Sequence, residues 1–261
     1  MTGEERIAAA FVAARGRAAL MPYLMGGFPD LEASRRIGEA CAAAGADMLE
    51  LGVPFSDPLA DGPVIHAAAT RALAAGATVA GVLEVAAALS PIIPVIAMTY
   101  VNTLLAPGIE RFVERLAAAG VSGLIVPDLP LEEADAVAGP AQAAGVALVP
   151  LVAPTSTDER LAAIGARARG FTYVVSVTGT TGERTGVGAE GLAALLARAR
   201  AGSRVPLAVG FGISSPAHAR AAADAGADGV IVGSRLVRAA PDGADAVGAL
   251  VAEFAAALAA P

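Results

Sequence analysis

Alanine-rich stretches that end on a glycine and run into a short apolar segment recur along this chain: AAAGADMLELG (42–52), AAAGVSGLIVP (117–127), QAAGVALVPLV (142–152) and DAGADGVIVGS (224–234). Ala propagates a helix, and Gly at its end takes the left-handed conformation that terminates it. The apolar run that follows does not alternate with polar residues, which is the pattern of a strand buried on both faces. Each unit therefore predicts a helix, a stop and a parallel strand. Four further apolar runs, Leu20 to Met25, Pro94 to Thr99, Phe171 to Val175 and Pro206 to Val209, bring the expected strands to eight. Helix starts are expected at Asp30 after Pro29, Glu132 after Pro130, Asp158 after Thr157 and Pro216 after Ser215. Ile7, Phe11 and Ala14 share one helical face, so an extra helix should precede the first strand and plug the bottom of a barrel. No Ser/Gly linker or compositional break interrupts the series. The expected fold is thus α/β, a single (β/α)₈ TIM barrel domain over residues 1–261 with an extra N-terminal helix; an open doubly wound sheet is the alternative.

Composition narrows the chemistry more than the fold. A 261-residue chain that is 56% hydrophobic has ample core, and its net charge of −7 is the wrong sign for a nucleic-acid or anionic-membrane surface. All 18 basic residues are Arg, which removes Schiff-base aldolases, enzymes that hold pyridoxal phosphate on a lysine, and P-loops. One cysteine, Cys41, and two histidines, His66 and His218, are too few for a disulfide framework or a zinc site of His and Cys. Neither cofactor nor metal is expected, and Cys41 fits a buried thiol. The uncharged stretch 85–109 has the length of a membrane span, but Pro91, Pro94, Pro107 and its polar residues fit a buried strand with its loops better. The N-terminal apolar run carries its charges in the reverse order of a secretory signal, so a cytoplasmic location is expected.

In a barrel of this kind the active site lies at the C-terminal ends of the strands. Glu50 ends one apolar run, where a carboxylate is costly unless it is paired, solvated or used. The loop GVPFSDPLADGP (52–63) is stiffened by three prolines and offers Asp57 and Asp61, either of which could equally be a turn former. His66, just inside the next helix, fits packing or capping, with no nucleophile beside it. Gly-rich exits follow three strands: SVTGTTGERTGVG (176–188), GFGIS (210–214) and the pair Gly233–Ser234. The last two fall at the exits of strands seven and eight, where barrels commonly hold phosphate on backbone N–H groups without a lysine.

LELGVPFSDPLADGPVI (49–65) closely resembles the signature of the tryptophan synthase alpha subunit family. The resemblance continues in order through MPYLMGGFPD, MTYVNTLLAPGIERF (98–112), VPDLPLEE (126–133), GFTYVVSVTGTTG (170–182), GFGISSP (210–216) and GVIVGS (229–234). It implies a lyase that splits indole-3-glycerol phosphate into indole and glyceraldehyde 3-phosphate and passes indole to a pyridoxal-phosphate-dependent beta subunit, in an alpha-beta-beta-alpha complex. By the same resemblance Glu50 and Asp61 are the catalytic carboxylates. Tyr23, Tyr100, Tyr173, Thr181 and Phe211 fall on substrate-binding positions, and Gly182, Gly212, Gly233 and Ser234 on phosphate-binding ones. Asp57 and Asp128 lie in stretches the family uses toward its partner. Thr180 stands where the family often has an aliphatic residue. Division of labour between the carboxylates predicts a buried Glu50 with a raised pKa and an Asp61 that stays ionised. A stand-alone lyase and a non-catalytic phosphate-binding subunit are the alternative functions.

Overall fold

The computed structural model describes residues 1–176 and 189–259. Its strands are β1 (Ala19–Met25), β2 (Leu49–Gly52), β3 (Val95–Met98), β4 (Gly123–Ile125), β5 (Ala147–Val149), β6 (Leu151–Val152), β7 (Thr172–Val175), β8 (Leu207–Gly210) and β9 (Gly229–Val232), all paired in parallel. Their order around the sheet is β5-β4-β3-β2-β1-β9-β8-β7-β6. The two end segments, β5 and β6, are consecutive in the chain and joined through Pro150, so the sheet comes round on itself as a barrel. Nine segments therefore stand where eight strands are expected. The reason is local: proline has no N–H to continue a ladder. The Pro150 carbonyl still accepts from the Tyr173 N–H at 2.9 Å, which ties the break into β7.

The glycines of the repeated unit do what the pattern requires. Gly45, Gly120, Gly145 and Gly226 sit at φ of 100°, 71°, 75° and 101°, each closing a helix before a strand. Two copies of the unit also carry the same aspartate. Asp47, ahead of β2, accepts from the Leu20 N–H of β1 at 2.7 Å and from both Arg17 guanidinium nitrogens at 2.7 and 2.8 Å. Asp228, ahead of β9, accepts from the Leu207 N–H of β8 at 2.7 Å and from Arg200 at 2.6 Å. In both places a carboxylate at the barrel bottom fastens the neighbouring strand and draws in an arginine.

The predicted N-terminal helix is present as Gly3–Ala13, capped by a reciprocal pair between Thr2 and Glu5. It closes the bottom of the barrel: Ile7 is fully buried against Gly123 and Gly170, and the Phe11 ring meets Phe171 at 6.1 Å. Arg6 on the same helix donates to the carbonyls of Gly120 and Ser90, binding the plug to two helix ends. Caps at Asp30, Thr157 and Ser215 start their helices as expected. The helix expected from Glu132 instead begins at Asp135. Residues 130–134 wind as tighter turns, with the Glu133 and Ala134 N–H groups on the carbonyls of Pro130 and Leu131, while the Glu132 carboxylate is drawn sideways to Arg160.

Cys41 is wholly buried, and burial pushes its thiol up to about 12, so it packs as a small apolar group. The uncharged stretch 85–109 is shared among the end of the helix Val79–Leu89, β3 and the short helix Val101–Leu105. Among the described residues no single helix is long and apolar enough to cross a membrane; the pair Pro63–Ala74 and Val79–Leu89, apolar enough together, bends by 108°.

Asp47 is one-tenth exposed, so Asp47→Ala strands a buried N–H and a half-buried guanidinium and should lower unfolding free energy by about 2–3 kcal/mol. Asp228→Ala also strands a buried N–H, that of Leu207, but its ion pair is about two-fifths exposed, so the cost should be smaller, about 1–2 kcal/mol. Urea unfolding of both variants at one pH checks the ranking; equal losses would contradict it.

Candidate active site

Glu50 and Tyr23 stand side by side across β2 and β1 and point into the mouth of the barrel. Glu50 is 1% exposed, and neither carboxylate oxygen has a hydrogen-bond partner among the described residues. Burial, reinforced by the nearby charge of Asp61, pushes the Glu50 carboxyl up to about 8. At neutral pH it therefore holds its proton, and it is an acid with a proton to give. Asp61, in the loop between β2 and the helix Pro63–Ala74, faces the same cleft. Burial raises its pKa too, against the lowering effects of a hydrogen bond from the Tyr100 hydroxyl and the charge of His66. The expected division is thus sharp for Glu50 and softened for Asp61, because the loop that carries Asp61 removes it from much of its water.

Two buried tyrosines flank the carboxylates by the same device. Tyr23 on β1 lies over Gly52 of β2, where a Cβ would meet its hydroxyl at 2.2 Å. Tyr173 on β7 lies over Gly210 of β8, where a Cβ would meet its hydroxyl at 2.0 Å. In each pair the glycine sits two residues beyond the tyrosine's register partner, Glu50 for Tyr23 and Ala208 for Tyr173. The absence of a side chain there lets each ring lean across its neighbour strand. The Phe211 ring meets Tyr173 edge-on at 5.8 Å, completing an aromatic wall.

The cleft encloses about 610 Å³, its open mouth included. Gly212, Gly233 and Ser234 line the same cleft at the exits of β8 and β9, as the sequence places them. The backbone N–H groups of Gly212, Ile213, Gly233 and Ser234 make no hydrogen bond to another described residue. Four unclaimed donors lining one cleft suit an anion with three oxygens. No cationic side chain lines this cleft among the described residues. Phe211 holds a left-handed φ of 68°, a strain on the order of 1–2 kcal/mol for a residue with a side chain.

Tyr100 stands one step behind the cleft. Its hydroxyl accepts from the Ala60 N–H at 3.0 Å and its ring stacks on Phe55 at 5.3 Å, so it holds the loop that carries Asp61. Asp57 is exposed and takes a hydrogen bond from the Ser56 hydroxyl, while Asp128 accepts from the Val101 N–H at 2.9 Å. Neither lines the cleft. His66 is exposed in the first turn of its helix. Thr181 and Gly182 lie outside the described residues. Among the described residues no three His, Cys, Asp or Glu side chains gather as metal ligands would.

Ile65, Met98 and Ile231 also line the cleft and escape sequence reasoning. Met98 is in register with Gly52, and Ile231 with Met21, so both share the inward phase of Glu50 and Tyr23. That phase was the available signal. It is silent in strands buried on both faces, where inward and outward residues are equally apolar.

The tryptophan synthase alpha chain family profile matches residues 10–259. A tryptophan synthase alpha chain of Prochlorococcus marinus is 54% identical over 229 residues, 87% of this chain and 83% of that one. One of Synechococcus sp. (strain CC9902) is 56% identical over 227 residues, 85% of this chain and 83% of that one. Among solved structures, a tryptophan synthase chain of Mycobacterium tuberculosis superposes with a TM-score of 0.92 at 40% identity, covering 98% of this chain and 99% of that one. The alpha subunit from Legionella pneumophila str. Paris gives 0.89 at 35% identity, covering 99% and 98%. With the signature carboxylates in one cleft and the match running through nearly the whole barrel, the chain belongs to the tryptophan synthase alpha chain family.

Proposed function

We propose that this chain, as one barrel domain, cleaves indole-3-glycerol phosphate to indole and glyceraldehyde 3-phosphate. The observation that carries this reading is Glu50, a desolvated carboxyl without a hydrogen-bond partner among the described residues, sharing with Asp61 a cleft that also offers bare N–H groups. Breaking the bond between indole carbon 3 and the glycerol chain needs an electron sink, and the ring serves once carbon 3 is protonated. Glu50 delivers that proton, which leaves a C=N bond and positive charge at the ring nitrogen. Asp61 stabilises that charge through the ring N–H. Glu50, now a carboxylate, takes the proton of the adjacent chain hydroxyl. The O–H pair becomes the new aldehyde C=O, the C–C pair restores the ring double bond, and the C=N pair returns to nitrogen. The proton account closes, with Glu50 protonated again.

Tyr23, Tyr173 and Phe211 frame the ring in this reading, and Tyr100 sets Asp61 through its loop. Gly212, Gly233 and Ser234 hold the phosphate, with Gly182 assigned to the same task and Thr181 to substrate binding by the family resemblance. Indole then passes to a beta subunit in an alpha-beta-beta-alpha complex, with Asp57 and Asp128 on stretches directed at that partner. The cytoplasm suits a chain whose one thiol is reduced and buried.

An ultraviolet assay of indole release from indole-3-glycerol phosphate, with and without a beta subunit, tests the function; activity should rise with the partner, and silence in both arms would remove the lyase reading. Glu50→Gln should lower kcat by about 10²-fold to 10⁴-fold with KM changed far less. Near-normal turnover would take Glu50 out of the mechanism.

The pH dependence has two signs to check. The proton-donating form is lost as pH passes about 8, so kcat should fall on the alkaline side. Folding also holds this proton more tightly than the unfolded chain, whose glutamate titrates near 4.5. The Glu50 contribution to stability is therefore fully present below about 4.5 and is lost as pH rises to about 8. Unfolding free energies measured across that window should decline less steeply in Glu50→Gln than in the parent.

A further inference from the structure

Phe211 is the one residue other than glycine with a left-handed φ among those described, and something must keep it there. Its carbonyl accepts a hydrogen bond of 2.5 Å from the Ser176 hydroxyl, which also lies 3.1 Å from the Gly210 carbonyl. No other described residue donates to the Phe211 carbonyl. The Ser176 N–H is already committed to Gly210 at 3.2 Å, so the hydroxyl is the donor this residue has left. Ser176 is 6% exposed, directly follows β7 and does not line the cleft, whereas Phe211 and Gly212 do.

The Phe211 carbonyl and the Gly212 N–H are the two ends of one planar trans peptide, so they point in opposite directions. A hydroxyl that grips the carbonyl from behind the cleft therefore also aims the Gly212 N–H. We propose that Ser176 is a positioning residue of the cleft: its hydrogen bond to the Phe211 carbonyl orients the Gly212 amide for the substrate phosphate and holds the Phe211 ring edge-on to Tyr173. This rests on reading the Gly212 end of the cleft as the phosphate site. One side chain on β7's end then sets two features of β8's exit, the amide donor and the aromatic wall. Gly210 makes the arrangement possible, because a side chain there would displace the Tyr173 ring that Phe211 meets edge-on.

The test compares Ser176→Ala and Ser176→Thr with the parent in the complex with its beta subunit. The readouts are KM and kcat for indole-3-glycerol phosphate and the dissociation constant for inorganic phosphate by calorimetry. Losing one hydrogen bond that positions a donor should raise KM and the phosphate dissociation constant about tenfold in Ser176→Ala, with kcat falling less than threefold. Ser176→Thr, which keeps the hydroxyl, should recover most of both. A merely structural role would lower the melting temperature of Ser176→Ala and leave both constants in place, and that result would overturn the proposal. A crystal structure of Ser176→Ala supplies a readout independent of the ligand: the 211–212 peptide should rotate and Phe211 should leave its left-handed φ, and an unmoved peptide would also overturn it. If the parent itself binds no phosphate, the phosphate reading of the cleft fails, and the peptide orientation still decides whether Ser176 positions this turn.

Discussion

The structure turns on the desolvation of one carboxyl. Glu50 lies in β2 and faces the barrel mouth, with both oxygens buried and without a partner among the described residues. An ionised carboxylate in such a place is expensive, and the protein meets the cost by holding the proton. Stability and chemistry thus pull on the same group in opposite directions. A salt bridge or a ring of N–H donors would have made Glu50 cheaper to bury and useless as an acid at neutral pH.

The surroundings maintain that condition. Tyr23 and Tyr173 present rings and hydroxyls rather than cations, and the cleft's apolar lining from Ile65, Met98 and Ile231 keeps the local dielectric low. The negative charge of Asp61 adds to the effect of burial on Glu50. In the proposed reading the phosphate falls to peptide groups at the exits of β8 and β9. Peptide dipoles would attract it there, and no cationic side chain among the described lining residues stands by to bring the Glu50 pKa back down. An arginine in the lining would serve the phosphate and compromise the acid.

Beneath the site, the barrel is made rigid by paired devices at its two ends. The aspartates of the repeated AGAD segments fasten β1 to β2 and β8 to β9 at the bottom. The tyrosine-over-glycine pairs join β1 to β2 and β7 to β8 at the top. β1, β2 and β8 are thereby held at both ends, while Phe211, Gly212, Gly233 and Ser234 sit beyond the last ladder bonds. Positions there are free to be strained, as Phe211 is.

Local rules were enough for much of this. Helix–Gly–strand units, N-caps at Asp30, Thr157 and Ser215, and the plug helix depend on residues within a few positions of one another, so they are visible in the chain as written. The absence of lysine removed whole chemistries, and the segment around Glu50 and Asp61 carried the family resemblance. What the chain could not reveal is set by contacts between distant segments. The turn before Asp135 is shaped partly by an arginine at position 160. The inward phase of Met98 and Ile231, the withdrawal of Tyr100 behind Asp61 and the grip of Ser176 on Phe211 likewise arise from register across the barrel. A carboxylate's position in sequence says that it could be an acid; only the packed barrel, by stripping its water and leaving it no partner among the described residues, keeps its proton on at neutral pH.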